Sequence, residues 1–210
     1  MDNRYVNKKE LGPYKDYFSR LMESIRPYLR NKGITFHYNL VGSAKRNLVI
    51  RHPNKGFDCD YQISIEKNKS DLSEKKIKDL FIALLNDKVD HNQFSFCKNR
   101  TTAITIKKIN ENESRVEFSY DIVIMKVEKS NTYVIKENDE QKHTYHWAEL
   151  PDMRDYIKRY NLIKGNDMWT ELRNEYYKLK MNNKNGEKSY HILNKAVNNV
   201  LDMFKRKKGE

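Results

Sequence analysis

The hydrophobic pattern changes period at Trp147, and this constrains the fold more than any other feature of the sequence. Between residues 34 and 136 apolar residues recur mostly at every second position, interrupted by one helical stretch; beyond Trp147 they recur every third or fourth. Period two sends alternate side chains to opposite faces of a strand, whereas period 3.6 gathers them on one side of a helix. Strands followed by a run of helices make an α+β arrangement. The expected layout is an N-terminal helix and a mixed sheet within residues 1–147, then a helical region over 148–210 packed on that core.

Between 11 and 29, Leu11, Tyr14, Phe18, Leu21, Met22, Ile25, Tyr28 and Leu29 follow helical spacing. Pro13 is placed near the start of this helix, where a missing amide costs little, and Gly33 stops it. ITFHYNLV (34–41) reads as a strand running into Gly42-Ser43, followed by a loop with Pro53, Asn54 and Gly56. A helix is predicted over 74–86, with Asp71 and Glu74 at capping-box spacing. TTAITIKKI (101–109) and RVEFSYDIVIMKV (115–127) read as strands joined by the turn-like NENES, and TYVIK (132–136) as an edge strand. Three helices are expected at 151–162, 167–181 and 188–205, the last carrying Leu193, Ala196, Val197, Val200, Leu201 and Phe204 on one face.

Composition narrows the function classes. The apolar share of 38%, with 14 Tyr and 8 Phe, supplies a core and argues against disorder despite 33% charged residues. No apolar run approaches the ~18 residues of a membrane span, and MDNRYVNKKELGPY lacks an apolar leader. Cys59 and Cys97 are too few for a disulfide framework, so a cytoplasmic protein with reduced thiols is expected. The net charge of +12 is unevenly spread: residues 1–56 carry 12 Lys and Arg against 4 Asp and Glu, 57–140 carry 14 against 16, and 141–210 carry 15 against 9. Basic ends around a near-neutral centre suit a polyanionic partner, although a solvated basic surface would look the same.

Three features carry chemistry. Gly42-Ser43 ends a strand, where Gly allows a tight turn and close approach to a phosphate, and Ser43 adds a hydroxyl donor. Alone, such pairs are mostly turns. In FDCDYQISI (57–65), Phe57, Cys59, Tyr61, Ile63 and Ile65 face one way and Asp58, Asp60, Gln62 and Ser64 the other. Two Asp on one strand face stand about 7 Å apart and repel unless a cation sits between them. In VEFSYDIVIM, Asp121 shares its face with Val123 and Met125, which makes an unpaired carboxylate costly. A Lys or Arg partner, or a metal, would relieve that cost.

The ordered set of Gly-Ser, Asp-x-Asp and a third strand Asp resembles the DNA polymerase β-like nucleotidyltransferase superfamily over roughly residues 34–127. The resemblance implies that Asp58, Asp60 and Asp121 bind two Mg²⁺ or Mn²⁺ ions and that Gly42-Ser43 holds the triphosphate of an NTP substrate. WTELRNEYYKLK and SYHILNKAVNNVL look like the helical region of the branch with cyclic GMP-AMP synthase, oligoadenylate synthase and bacterial signalling nucleotidyltransferases. There a Lys on one helix contacts triphosphate and a Ser-Tyr pair on the next contacts phosphate and base. Those roles would fall to Lys178 or Lys180, and to Ser189 and Tyr190; as plain structure, Ser189 would cap a helix and Tyr190 would pack. The sequence ends soon after that helix, so the larger C-terminal lobe of many relatives is expected to be absent.

The expected reaction is nucleotidyl transfer from an NTP to an acceptor hydroxyl, with Asp121 also a candidate general base. The acceptor could be a second nucleotide, an RNA end, a protein or a small molecule. A non-catalytic binder of nucleotide or RNA on the same fold is the alternative, disfavoured by clustered acids facing phosphates. His143 and His146 with Cys97 make a poor zinc site. No G-x-x-x-x-G-K-[ST] occurs, which excludes a P-loop. The Lys-Arg run 205–208 reads as a solvated helix end, and Arg46, Lys178 and Lys180 are the cations expected to line the acidic cleft.

Overall fold

The computed structural model describes residues 3–53, 56–110, 115–139 and 141–208. Most of the NENES junction and the end of the KRKKGE tail therefore lie outside the described residues. The chain forms two compact units, Met1–Leu150 and Pro151–Glu210.

The first unit is built on a helix, α1 (Lys8–Asn31), laid against a sheet. Asn7 and Glu10 form a capping box, with the Asn7 side chain accepting from the Glu10 amide at 3.0 Å and the Glu10 carboxylate from the Asn7 amide at 3.2 Å. This local signal starts the helix upstream of the expected point and leaves Pro13 inside it. Gly33 ends it at φ +76°, where a Cβ would meet Ser70. Just before the helix, β1 (Arg4–Tyr5) pairs antiparallel with β3 (Ile50–Arg51) in a two-stranded ladder.

The main sheet runs β2 (Ile34–Leu40), β4 (Phe57–Asn68), β7 (Arg115–Glu128), β6 (Ala103–Asn110) and β5 (Lys98–Asn99). The far end of β7 also pairs with β8 (Asn131–Asp139), which pairs in turn with β9 (Thr144–Glu149). β8 is thus an inner strand, not the edge expected of TYVIK, because the HTYHWAE stretch forms a strand rather than a lead into the helices. β4 and β7 are parallel and the other main-sheet pairs antiparallel, so the sheet is mixed. α3 (Glu74–Lys88) starts at Ser73, whose hydroxyl accepts from the Lys76 amide; Asp71, placed in a box by spacing, sits at φ +46° before the helix.

The apolar faces of α1 and α3 share one core with one face of the sheet. Phe18 stacks on Tyr61 with centroids 3.6 Å apart and Tyr14 on Phe118 at 4.0 Å. Fully buried Tyr120 donates its hydroxyl proton to the Tyr14 carbonyl at 2.6 Å. Each such side chain contributes roughly 1.5–3 kcal/mol by burial alone. Phe57, Cys59, Tyr61 and Ile63, with Phe118, Tyr120, Ile122 and Ile124, supply the sheet side of this core. The intervening polar residues must therefore face the other way.

The second unit holds α4 (Arg154–Gly165), α5 (Trp169–Met181) and α6 (Ser189–Lys208). Leu193, Ala196, Val197 and Val200 of α6 are buried, as are Tyr160, Ile163, Leu172 and Tyr176. The α5–α6 loop is closed by Asn183, which donates to the Glu187 carbonyl at 2.9 Å and accepts from the Glu187 amide at 2.8 Å. Among the described residues, no helix is long and apolar enough to cross a membrane.

Candidate active site

Register brings the acids together. Asp60 of β4 stands directly opposite Asp121 of β7, and Asp58 lies two residues back on the same face. One oxygen from each of the three carboxylates lies within 4.8 Å of the other two, and all three residues are half-buried. Like charges at that spacing repel by on the order of 3 kcal/mol per pair at an effective dielectric of about 20. Three oxygen donors converging so closely fit a hard divalent cation such as Mg²⁺ or Mn²⁺, which would offset the repulsion. Cys59 lies on the opposite face, and burial pushes its thiol up to about 12, with Asp58 and Asp60 adding to the shift. It has no place in the chemistry.

The Gly42-Ser43 turn is tied to the same strand. The Val41 amide donates to the Asp60 carbonyl at 2.8 Å, and Gly42 follows at φ +62°. A Cβ on residue 42 would press on Asp60 Oδ2, so glycine is favoured twice over, by conformation and by space. Gly42–Lys45 forms one helical turn, α2, where the sequence suggested a plain turn. The Ser43 carbonyl accepts from the Arg46 and Leu48 amides at 3.1 and 3.0 Å, and the Arg46 guanidinium donates to the Gly42 carbonyl at 2.8 Å. Arg46 thus braces the turn beside the acids.

Asp121 is relieved by neither Lys nor Arg among the described residues. Its Oδ1 accepts a hydrogen bond of 2.5 Å from the Thr105 hydroxyl on β6, the strand on the other side of β7. Lys107 lies two residues beyond Thr105 on the same face, opposite Ser119, which is itself opposite Asp58. One row therefore reads Asp60, Asp121, Thr105 across three strands, and the next reads Asp58, Ser119, Lys107. Sequence reasoning missed both Thr105 and Lys107. AITIKK (103–108) carries the right alternation, but nothing local says which acid it meets.

Within the helical unit, Lys180 and Ser189 meet: Lys180 Nζ donates to Ser189 Oγ at 2.5 Å, joining the end of α5 to the start of α6. Ser189 is the first residue of α6 rather than its cap. Tyr190 is 41% exposed, with its ring edge-on to Tyr156 at 5.5 Å. Lys178 is exposed and, two residues from Lys180 on a helix, points elsewhere. His143 pairs with Glu137 at 3.1 Å, and among the described residues the acidic trio is the one cluster with metal-ligand spacing.

No known family profile matches the sequence, and no curated protein matches it. Solved structures do. Vibrio cholerae DncV in its GTP-bound form aligns with a TM-score of 0.55 at 13% identity, over 93% of this chain and 52% of that one. Escherichia coli DncV bound to 3′-deoxy GTP gives 0.54 at 15%, over 94% and 54%. V. cholerae DncV, a cyclic AMP-GMP synthase, with nonhydrolyzable GTP gives 0.51 at 12%, over 78% and 44%.

The fold is that of the polymerase β-like nucleotidyltransferases. The chain spans about half the length of the structures it matches. In this nucleotidyltransferase fold the acidic trio sits on the sheet face turned away from α1, with the Gly42-Ser43 turn at its β2 side and Thr105 at its β6 side.

Proposed function

We propose that this chain is a metal-dependent nucleotidyltransferase, which moves a nucleoside monophosphate from an NTP to an acceptor hydroxyl and releases pyrophosphate. One observation carries the reading. Asp121 converges with Asp58 and Asp60, some sixty residues earlier in sequence, within 4.8 Å on the sheet face turned away from α1, beside a turn whose backbone and space favour glycine. Carboxylates held so close repel one another, and a dication carrying a triphosphate would offset that repulsion.

Two Mg²⁺ or Mn²⁺ ions, when bound, would neutralise charge on the triphosphate and lower the pKa of the acceptor hydroxyl. Asp58 and Asp60 would hold the ion on the triphosphate side, next to Gly42-Ser43, whose hydroxyl and backbone amides face the phosphates. Asp121 would complete the site toward β6, where the acceptor oxygen must arrive for in-line attack, and would take the hydroxyl proton. The new bond joins acceptor oxygen to α-phosphorus, and the bond between α-phosphorus and the bridging oxygen breaks. Residues 1–147 would form the catalytic core and 148–210 a helical region with nucleotide-binding residues of its own. There Lys180 and Ser189 would contact phosphate and Tyr190 would stack on the base, with Lys178 a more distant cation.

The test is direct. The protein is incubated with each labelled NTP and Mg²⁺ or Mn²⁺, alone and with a second nucleotide or RNA, and products are separated by mass. Metal-dependent release of pyrophosphate with a nucleotidylated product is the expected result. NTP binding without any product would instead favour a non-catalytic binder.

A further inference from the structure

We infer that Thr105 is a positioning residue for Asp121: its hydroxyl fixes one carboxylate oxygen and so leaves the other for a divalent cation. The inference rests on the proposed nucleotidyl transfer and deepens it. Thr105 is 6% exposed and lies directly opposite Asp121 in the β6–β7 ladder. Its hydroxyl donates to Asp121 Oδ1 at 2.5 Å. A hydroxyl-to-carboxylate bond is charge-assisted and short, among the stronger hydrogen bonds available to a side chain.

Two physical facts make the contact matter. The terminal torsion of Asp is broad and two-fold, so a carboxylate without a fixed partner samples many orientations. In a β-strand Thr is stiff about χ1 because two heavy atoms branch from Cβ. A stiff, buried donor therefore sets the plane of a soft acceptor. Asp58 and Asp60 stand on the far side of Asp121 from β6. With Oδ1 engaged toward β6, Oδ2 is the oxygen free to serve a cation between the three acids. The residue type at 105 also needs explaining. Its neighbours Ile104 and Ile106 are fully buried, and a Val would suit that strand as well. The hydroxyl is what Val would lack, and its partner is Asp121.

The experiment uses the full chain and compares wild type with Thr105→Val, Thr105→Ser, Asp121→Asn and the double variant Thr105→Val/Asp121→Asn. Mn²⁺ affinity is read by water-proton relaxation without nucleotide, and kcat and KM for NTP are read separately at saturating Mn²⁺. Loss of an outer-shell partner to a metal ligand typically weakens metal binding or activity ~10–100-fold. Thr105→Val should show a fall of that order in Mn²⁺ affinity and in kcat, with KM for NTP nearly unchanged. Thr105→Ser should restore both, and Thr105→Val should add nothing in the Asp121→Asn background. Should Thr105→Val unfold the protein, Thr105→Ala takes its place alone and in the Asp121→Asn background: additive losses there mean packing, not positioning. Wild-type Mn²⁺ affinity and kcat in a folded Thr105→Val overturn the inference while leaving the nucleotidyltransferase intact. A wild type that neither binds Mn²⁺ nor makes product overturns both.

Discussion

The acidic face of the sheet and the α5–α6 junction hold the two sets of residues expected to touch nucleotide, and they are built in opposite ways. The first is a convergence of like charges from residues 58, 60 and 121, locked by backbone ladders, with the Thr105 hydroxyl holding Asp121. The second is a local contact between Lys180 and Ser189, already satisfied by its own hydrogen bond. A ladder can force groups into unfavourable proximity because the core on the other face supplies the stabilisation. A helix end on exposed side chains cannot. The acidic site should therefore be intolerant and metal-linked, and the basic one tolerant and graded.

The largest effect should come from Asp60→Asn. Asn keeps the shape but removes the charge a divalent ion needs, so transfer should fall by at least ~10²-fold, since misplacing the reacting groups by about 1 Å can cost that much. Without metal the melting temperature should be unchanged or higher, because a repulsion has been relieved. Mg²⁺-NTP should stabilise the variant less than wild type, as ligand stabilisation follows the site's affinity. A lower melting temperature in the free variant, with full NTP stabilisation, would show that Asp60 is a structural residue.

Gly42→Ala comes next and differs in sign. A side chain in left-handed backbone costs roughly 1–2 kcal/mol, and this Cβ would also press on Asp60 Oδ2. For a chain of this size that corresponds to a fall of about 4 °C or more in melting temperature. Activity should fall with it, because Asp60 must move. If activity is lost with no change in melting, the turn matters only through ligand contact.

Lys180→Ala tests the other region. Its ammonium is held on Ser189 rather than buried, so the free protein should melt within a few tenths of a kcal/mol of wild type, as surface changes usually do. If it meets a phosphate, KM for NTP should rise about tenfold, near the ~1.5–3 kcal/mol of a hydrogen bond to a charged group. The same change at Lys178, which points elsewhere on α5, should do less. Equal effects would mean that neither lysine is positioned.

How much of this was legible depends on whether a feature is local. Strand alternation is a property of each strand alone, so the placement of Asp58, Asp60 and Asp121 opposite the core follows from FDCDYQISI and RVEFSYDIVIM without knowing the pairing. Gly42 was legible as a turn for the same reason. Pairing itself is not local. That β4 runs parallel to β7 with Asp60 opposite Asp121, and that Thr105 meets Asp121, are outcomes of register between distant segments. The two-residue strands β1, β3 and β5 are too short to carry a period. β9 was missed because all four of Tyr145, His146, Trp147 and Ala148 are half-buried, so it lacks the one-sided pattern. The start of α1 was readable: Asn7 and Glu10 have the box spacing, and Pro13 drew attention from it.

The smallest predicted effect uses Glu10 as a counterpart to the acidic trio, a carboxylate whose charge stabilises rather than repels. Arg4 reaches it in bidentate fashion at 2.6 and 2.7 Å, the Asn7 amide donates to it at 3.2 Å, and Arg51 lies 3.4 Å away. The Arg4 hydrogen bonds above all hold its carboxyl well down, to about 2 from an ordinary 4.5. A carboxyl depressed in the folded state contributes stability that is fully present above its unfolded value. That contribution shrinks as pH falls from 4.5 toward about 2, where the folded carboxyl also protonates. The pairs are partly exposed, so the contribution is of the order of ~1 kcal/mol, between a surface ion pair and a lost helix cap. Glu10→Gln should therefore lower the melting temperature by roughly 2–4 °C at pH 7. The gap should narrow steadily between pH 4.5 and pH 3, and the same titration of Asp60→Asn should show no loss of stability at pH 7 to recover. A gap for Glu10→Gln that stays constant across that range would mean the residue acts by packing or by a neutral hydrogen bond. The contrast between stabilising and repelling carboxylates would then rest on the acidic face alone.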